Sequence, residues 1–233
     1  MRRLLLFFFS HRLLALARWD FHFMRLRLRN FLTRKHAAIR KRAASARPMY
    51  LNLGSGPRGI ADLHWINVDG YPDKNVDFLL DFARTLPFAD RSLDGVFCEH
   101  VFEHFTQDDG ERLARELKRC LRPTGTLRVI VPDAERVMRA YFEEPNWLAE
   151  RRQAATPGEA INSYFRQRYD HHFLYDWPSM QRMLQRAGFA TVARSSYKVG
   201  QLNKEIVLDA PHTNAKASTL KLCRLRPPDS SRS

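Results

Sequence analysis

Cysteine is scarce in this 233-residue chain: Cys98, Cys120 and Cys223 are the only three. Their wide spacing and odd number exclude a disulfide framework and match no thiolate metal pattern. A reducing compartment is therefore expected, with all three as packing residues. Long apolar runs are also missing. Leu4–Phe9 follows Met1-Arg-Arg in the manner of a signal peptide, but Ser10, His11 and Arg12 cut the run at six residues, too short to span a bilayer or to serve as a signal. With 10 Gly, 12 Pro and 44% hydrophobic residues, the composition excludes a disordered chain and fits one globular domain plus an appendage.

Acidic residues are nearly absent from one stretch. Residues 1–50 hold 13 Lys and Arg against Asp20 alone, a net of +12 out of a total of +14, so residues 51–233 are close to neutral. With its globular part nearly neutral, the chain is not expected to take nucleic acid as its partner. Within the arm, Phe21, Leu28, Leu32 and Ile39 follow steps of seven, four and seven and predict one helical stripe, widened by Met24 and Phe31. Arg18, Arg25, Arg29 and Arg40 flank it on one side, and Arg27, Arg34 and Lys41 lie round the other. Residues 1–47 therefore read as a basic amphipathic arm suited to an anionic membrane surface. Competing readings are a helix docked on a protein or nucleic-acid partner, or a gene start placed upstream of Met24 or Met49.

From residue 48 onward the pattern predicts alternating strands and helices. Tyr50–Leu53, Trp65–Val68, Val76–Leu80, Leu93–Cys98 and Thr126–Val131 read as strands. Thr106 opens a capping box for a helix whose Leu113, Leu117 and Leu121 recur every fourth residue, stopped by Pro123 and Gly125. Asp133 can cap a helix through Tyr141, Ser179–Ala187 is a further helix closed by Gly188, and Phe189–Tyr197 and Leu220–Leu225 are late strand candidates. Buried-type strands alternating with helices predict an α/β, mostly parallel sheet with its site at the strand carboxyl ends. Residues 142–176, aromatic and polar without clear periodicity, read as a lid or substrate-binding insertion.

LNLGSG at 51–56, INVD at 66–69, LLDFARTLPFADRSLDGVFCEHVFEHF at 79–105 and LKRCLRPTGTLRVIVPD at 117–133 follow in order. Together they resemble the successive motifs of a class I S-adenosylmethionine-dependent methyltransferase, type 11-like. The chain is also similar to small methyltransferases associated with bacterial cell-surface polysaccharide clusters. The resemblance implies a Rossmann-like sheet, an S-adenosylmethionine cofactor, and a small-molecule or saccharide acceptor such as a hydroxyl of a sugar or lipid-linked saccharide. It also implies a cytoplasmic location, peripheral to the inner membrane if the arm binds lipid.

It further implies residue roles. Leu53, Gly54 and Gly56 would border the methionine and ribose parts, and Asp69 would hold the ribose diol, since a carboxylate can accept from two adjacent hydroxyls. Asp81 would approach the adenine amino group, with Phe82 and Leu86 as apolar walls, and Glu99 and His100 would lie on the floor near the transferred methyl. For a hydroxyl acceptor a general base is useful. His100, Glu103 and His104 are candidates, and Tyr169, Asp170, His171 and His172 form a second group, with His172 taken as catalytic. No metal is expected, because no carboxylate-histidine spacing of a familiar ligand type is present.

The chain departs from the broad family in its early crossovers. Eleven residues between Leu53 and Trp65, carrying Pro57 and Gly59, predict a short or absent first helix, and Gly70–Asn75 is too brief for a second, which leaves the third strand's direction open. Gly54-Ser-Gly56-Pro-Arg-Gly59 also satisfies a dinucleotide fingerprint. The curtailed helix, the early Asp69 and the unexplained LPFAD and VFEHF segments weigh against a nicotinamide reductase. A non-catalytic, methyltransferase-like adaptor working through its arm is the remaining alternative.

Overall fold

The computed structural model describes residues 11–167, 170–195 and 219–223. Its centre is a seven-stranded sheet in the order β3-β2-β1-β4-β5-β7-β6. Strands β1 (Tyr50–Leu53), β2 (Trp65–Asp69), β3 (Phe78–Leu79), β4 (Leu93–Glu99) and β5 (Leu121–Pro132) run parallel. β7 (Thr219–Cys223) lies antiparallel to β5, and β6 (Ala193–Arg194) antiparallel to β7. Every residue of β1 is buried, as befits a central parallel strand covered on both faces.

The third strand is parallel to β2, with Val68 opposite Phe78 and Asp69 opposite Leu79, so its direction is settled although only two residues pair. β5 begins earlier than predicted, at Leu121, across an irregularity at Leu93/Gly95 of its partner. β6 is a two-residue remnant of the predicted Phe189–Tyr197, of which 196 and 197 lie outside the described residues, as do 224 and 225 of the last strand. The first crossover is a single 3-10 turn, Gly56–Arg58, and the second carries no helix. In place of a helix, polar side chains hold the loop. Asn67 Oδ1 accepts from Ile60 N at 2.8 Å and its Nδ2 donates to Ile60 O, while Asn52 Nδ2 donates to Asn67 and to Arg58 O.

The arm forms two helices, α1 (His11–Leu32) and α2 (Lys35–Ala43), where one continuous stripe was expected. Arg34 at φ +50° breaks the helical path between them. Ile39 consequently leaves the stripe and is fully buried in the main core. On α1 the side turned to the domain is Trp19, His22, Phe23, Leu26 and Asn30, with Phe23, Leu26 and Asn30 buried. Phe21, Met24, Leu28, Phe31 and Leu32 are all exposed on the opposite side. Among the described residues, no helix is long and apolar enough to cross a membrane.

Helix α3 (Gln107–Cys120) starts as predicted, with Thr106 Oγ1 accepting from Asp109 N, and Asp133 likewise caps α4 (Ala134–Glu143). Residues 145–166, within the segment 142–176 read as a lid or substrate-binding insertion, carry two helices. They form α5 (Pro145–Arg152) and α6 (Pro157–Arg166), each with proline in its first turn, closed with α4 around a small core of Val137, Ala140, Leu148, Ala160 and Tyr164. Helices of eight and ten residues give too few turns for a clear period in sequence. Helix α7 (Trp177–Arg186) opens two residues earlier than expected, at a capping box between Asp176 and Ser179.

Candidate active site

The parallel strands end together, and the candidate residues sit at those ends. β1 stops at Leu53, fully buried, and the chain turns through Gly54 at φ +73° and Gly56 at φ +47°. A Cβ on Gly54 would meet Val101 Cγ2 at 2.2 Å, so the turn requires glycine there for packing as well as conformation. At Gly56 the same test meets nothing within 4 Å, so its face is an open cradle. Gly59, no longer a fingerprint glycine, packs against Asn75 so closely that a Cβ would collide with its carbonyl.

Asp69, at the end of β2, ties this turn to the next loop. Its Oδ2 accepts from Gly56 N at 2.9 Å and its Oδ1 from Tyr71 N at 3.0 Å. Each carboxylate oxygen keeps acceptor capacity beyond these bonds. Ser55 Oγ is buried with no hydrogen-bond partner. An open cradle, an acid beside it and an unpartnered buried hydroxyl together fit a polyhydroxylated ligand such as the ribose of S-adenosylmethionine.

Two cavities are found among the described residues, the smaller of them at this turn. The smaller, about 170 Å³, is lined by Asn52, Gly54, Ser55, Arg58, Ile60, Phe97 and Glu99. Glu99 ends β4 with its side chain buried and pairs with Arg58 Nη1 at 2.5 Å. The larger, about 520 Å³, lies under α1, bordered by Trp19, Phe23, Arg27, Asp81 and Ala83, with Asp109 and Arg112 of α3 behind. Asp81 is at the expected edge just past β3, yet Arg27 from α1 reaches it at 2.5 Å. Nearby, His22 stacks on Tyr71 with ring centroids 4.6 Å apart and bonds Gly70 O, and Asn30 donates to Leu79 O. Phe82 is half-buried against the main core, whereas Leu86 is part of that core and lines neither cavity.

Beyond Glu99, His100 adopts φ +56°, an uncommon conformation for a non-glycine residue. Its Nδ1 donates to Glu103 Oε1 at 2.8 Å. Glu103, fully buried, belongs to a 3-10 turn, Phe102–His104. Burial pushes the His100 imidazolium toward losing its proton, but the Glu103 hydrogen bond and charge outweigh it and hold its pKa above the ordinary value. Burial likewise pushes Glu103 up, and the His100 contact more than offsets this, so it stays below the usual carboxylate value. The contact sets the His100 tautomer, with the proton on Nδ1.

The second histidine group comes to the same place. His172 is exposed and meets Glu103 through its backbone N–H, which donates to Glu103 O at 2.8 Å. The ring that reaches the first group is that of His171, 5.0 Å from the His104 ring. Tyr169 lies outside the described residues. Sequence reasoning missed Arg58, Arg27, Asn67 and Tyr71. Arg58 and Asn67 stood within the recognised loop and strand, but Arg27 and Tyr71 meet the site only once α1 is docked.

Residues 63–129, which carry Asp69, Asp81 and Glu99–His104, match the family model of a methyltransferase domain. Among solved structures, the chain is similar to an S-adenosylmethionine-dependent methyltransferase from Archaeoglobus fulgidus, at 15% identity, with 86% of this chain and 94% of that one covered and a TM-score of 0.50. It is also similar to an S-adenosylmethionine-dependent methyltransferase from Thermotoga maritima, at 16% identity, with 88% and 97% covered and a TM-score of 0.49. A third is phosphoethanolamine N-methyltransferase 2 of Haemonchus contortus in complex with S-adenosylmethionine, at 16% identity, 71% and 39% covered and a TM-score of 0.44. No curated protein matches the sequence.

Proposed function

We propose that this chain, a class I S-adenosylmethionine-dependent methyltransferase by its matched segment and its fold, methylates a hydroxyl of a sugar or lipid-linked saccharide at a membrane surface. The observation that carries the hydroxyl is the His100–Glu103 pair at the end of β4, beside the glycine turn. When bound, S-adenosylmethionine supplies an electrophilic methyl on sulfonium, so alignment is the main demand and only a weakly acidic acceptor also needs a base. Asp69 would hold the ribose, Gly54 and Gly56 would let the backbone pass close, and Asp81 would face the adenine amino group once Arg27 yields. Glu99 with Arg58, paired in the free chain, would meet the zwitterionic methionine end, a carboxylate for its ammonium and a guanidinium for its carboxylate. His100 Nε2 would take the hydroxyl proton while Glu103 holds the ring.

The lipid part of the reading is supported by the outer side of α1. Phe31, Leu32, Leu28 and Phe21 are 78%, 69%, 57% and 54% exposed, flanked by Arg18, Arg25 and Arg29. Such a face lies comfortably in an anionic interface. The inner side of the same helix covers the 520 Å³ cavity, which would bring the acceptor's membrane and the site together. The test is transfer of label from methyl-labelled S-adenosylmethionine to a lipid-linked glycan fraction, expected for the native chain and lost in His100→Ala. Label found only in soluble metabolites, protein or nucleic acid would refute the acceptor. Absence of any S-adenosylmethionine binding would favour the adaptor.

A further inference from the structure

Glu103, His104 and His171 each offer a ligand atom lying within 4.8 Å of the other two. Three further facts make this more than proximity. His104 Nδ1 donates to Asp170 O at 3.1 Å, and His171 Nδ1 donates to Tyr164 O. A carbonyl can only accept, so both rings carry their proton on Nδ1 and their lone pair on Nε2. This is the outer-shell arrangement that orients histidine ligands in metal centres. The third fact is Glu103 Oε2, which is buried with no hydrogen-bond partner, while Oε1 is engaged by His100. A buried carboxylate oxygen without a donor is costly unless a cation completes it.

We infer that Glu103, His104 and His171 form a binding site for a divalent first-row transition ion of the Zn²⁺ or Co²⁺ type. Two imidazoles and one carboxylate suit such borderline ions and leave a fourth position open. A tetrahedral ion with bonds of about 2.0–2.1 Å needs its ligand atoms about 3.3 Å apart, so the site closes by up to about 1.5 Å on binding. The half-buried histidine rings supply that movement, since Glu103 is fixed by burial and by His100. The ion joins the 3-10 turn after β4 to the segment after α6, adding to the bonds of His172 N and Phe173 N on Glu103 O and of His104 Nδ1 on Asp170 O.

The test uses the full chain, stripped with a chelator and titrated with Co²⁺, read by visible d–d absorption and by displacement with Zn²⁺. One equivalent of Co²⁺ with a low-symmetry band, displaced by Zn²⁺, is expected. His104→Ala and His171→Ala should each weaken binding by about 100-fold or more, beyond the loss from an outer-shell partner, with an unchanged far-ultraviolet spectrum. His64→Ala, whose ring bonds Pro48 O away from the cluster, should bind as the native chain does. No band at saturating Co²⁺, or native affinity in both His104→Ala and His171→Ala, would overturn the site. The readout is metal binding, so it stands or falls apart from methyl transfer.

Discussion

Replacing Gly54 with alanine tests the turn on which the site is built. Two costs add. The residue sits at φ +73°, where an L side chain loses about 1–2 kcal/mol. Its new methyl would also lie 2.2 Å from Val101 Cγ2. Val101 is 5% exposed, so relief requires an off-rotamer side chain or a backbone shift, typically about 1–3 kcal/mol. Gly54→Ala should therefore destabilise the chain by about 2–5 kcal/mol. Val101→Ala removes the clashing methyl but leaves the dihedral cost, so the double variant should be less destabilised than the sum of the singles by about 1–3 kcal/mol. Urea unfolding would read this as a lowered midpoint at constant slope, with calorimetry reporting S-adenosylmethionine affinity beside it. A Gly54→Ala variant within 0.5 kcal/mol of the native chain by the same overpacking scale, or additive singles, would refute the reasoning.

Asp69→Ala should weaken S-adenosylmethionine binding by about 1–3 kcal/mol, the cost of leaving buried polar partners unpaired, and unchanged affinity by calorimetry would remove Asp69 from the site. For the membrane face, Leu28→Glu with Phe31→Glu should abolish sedimentation with anionic vesicles and change stability by less than about 0.5 kcal/mol, because both residues are exposed; retained vesicle binding would refute the role of that face. Point changes serve better here than deleting residues 1–47, which would also strip Phe23 from Gly70 and Arg27 from Asp81. A last prediction concerns pH. The Ser179 hydrogen bond holds the Asp176 carboxyl below its ordinary value, so its contribution is present above the unfolded pKa of about 3.9 and lost as pH falls through the depressed folded value. Asp176→Ala should cost about 1 kcal/mol at pH 7, and the gap between variant and native chain should close under strong acid; a gap constant with pH would refute the cap.

The sequence by itself determined the sheet's central strands, the glycine turn, the Thr106 and Asp133 caps and the curtailed crossovers. Each is written in residues adjacent along the chain: buried strands as apolar runs, turns as glycine and proline, caps as a polar side chain one turn from its partner. It also placed Asp69, Asp81, Glu99 and His100 at strand ends, because a strand end is itself a local signal. Only the tertiary structure decided which side of α1 faces the domain, since Trp19, Phe23 and Leu26 on one side and Phe21, Leu28 and Leu32 on the other are both apolar series, and packing chooses between them. It alone brought Arg27 to Asp81, across 54 residues. It also chose His171 over its neighbour His172 as the ring beside His104, because backbone pairing of residues 172–173 with Glu103 sets which of two adjacent side chains turns inward.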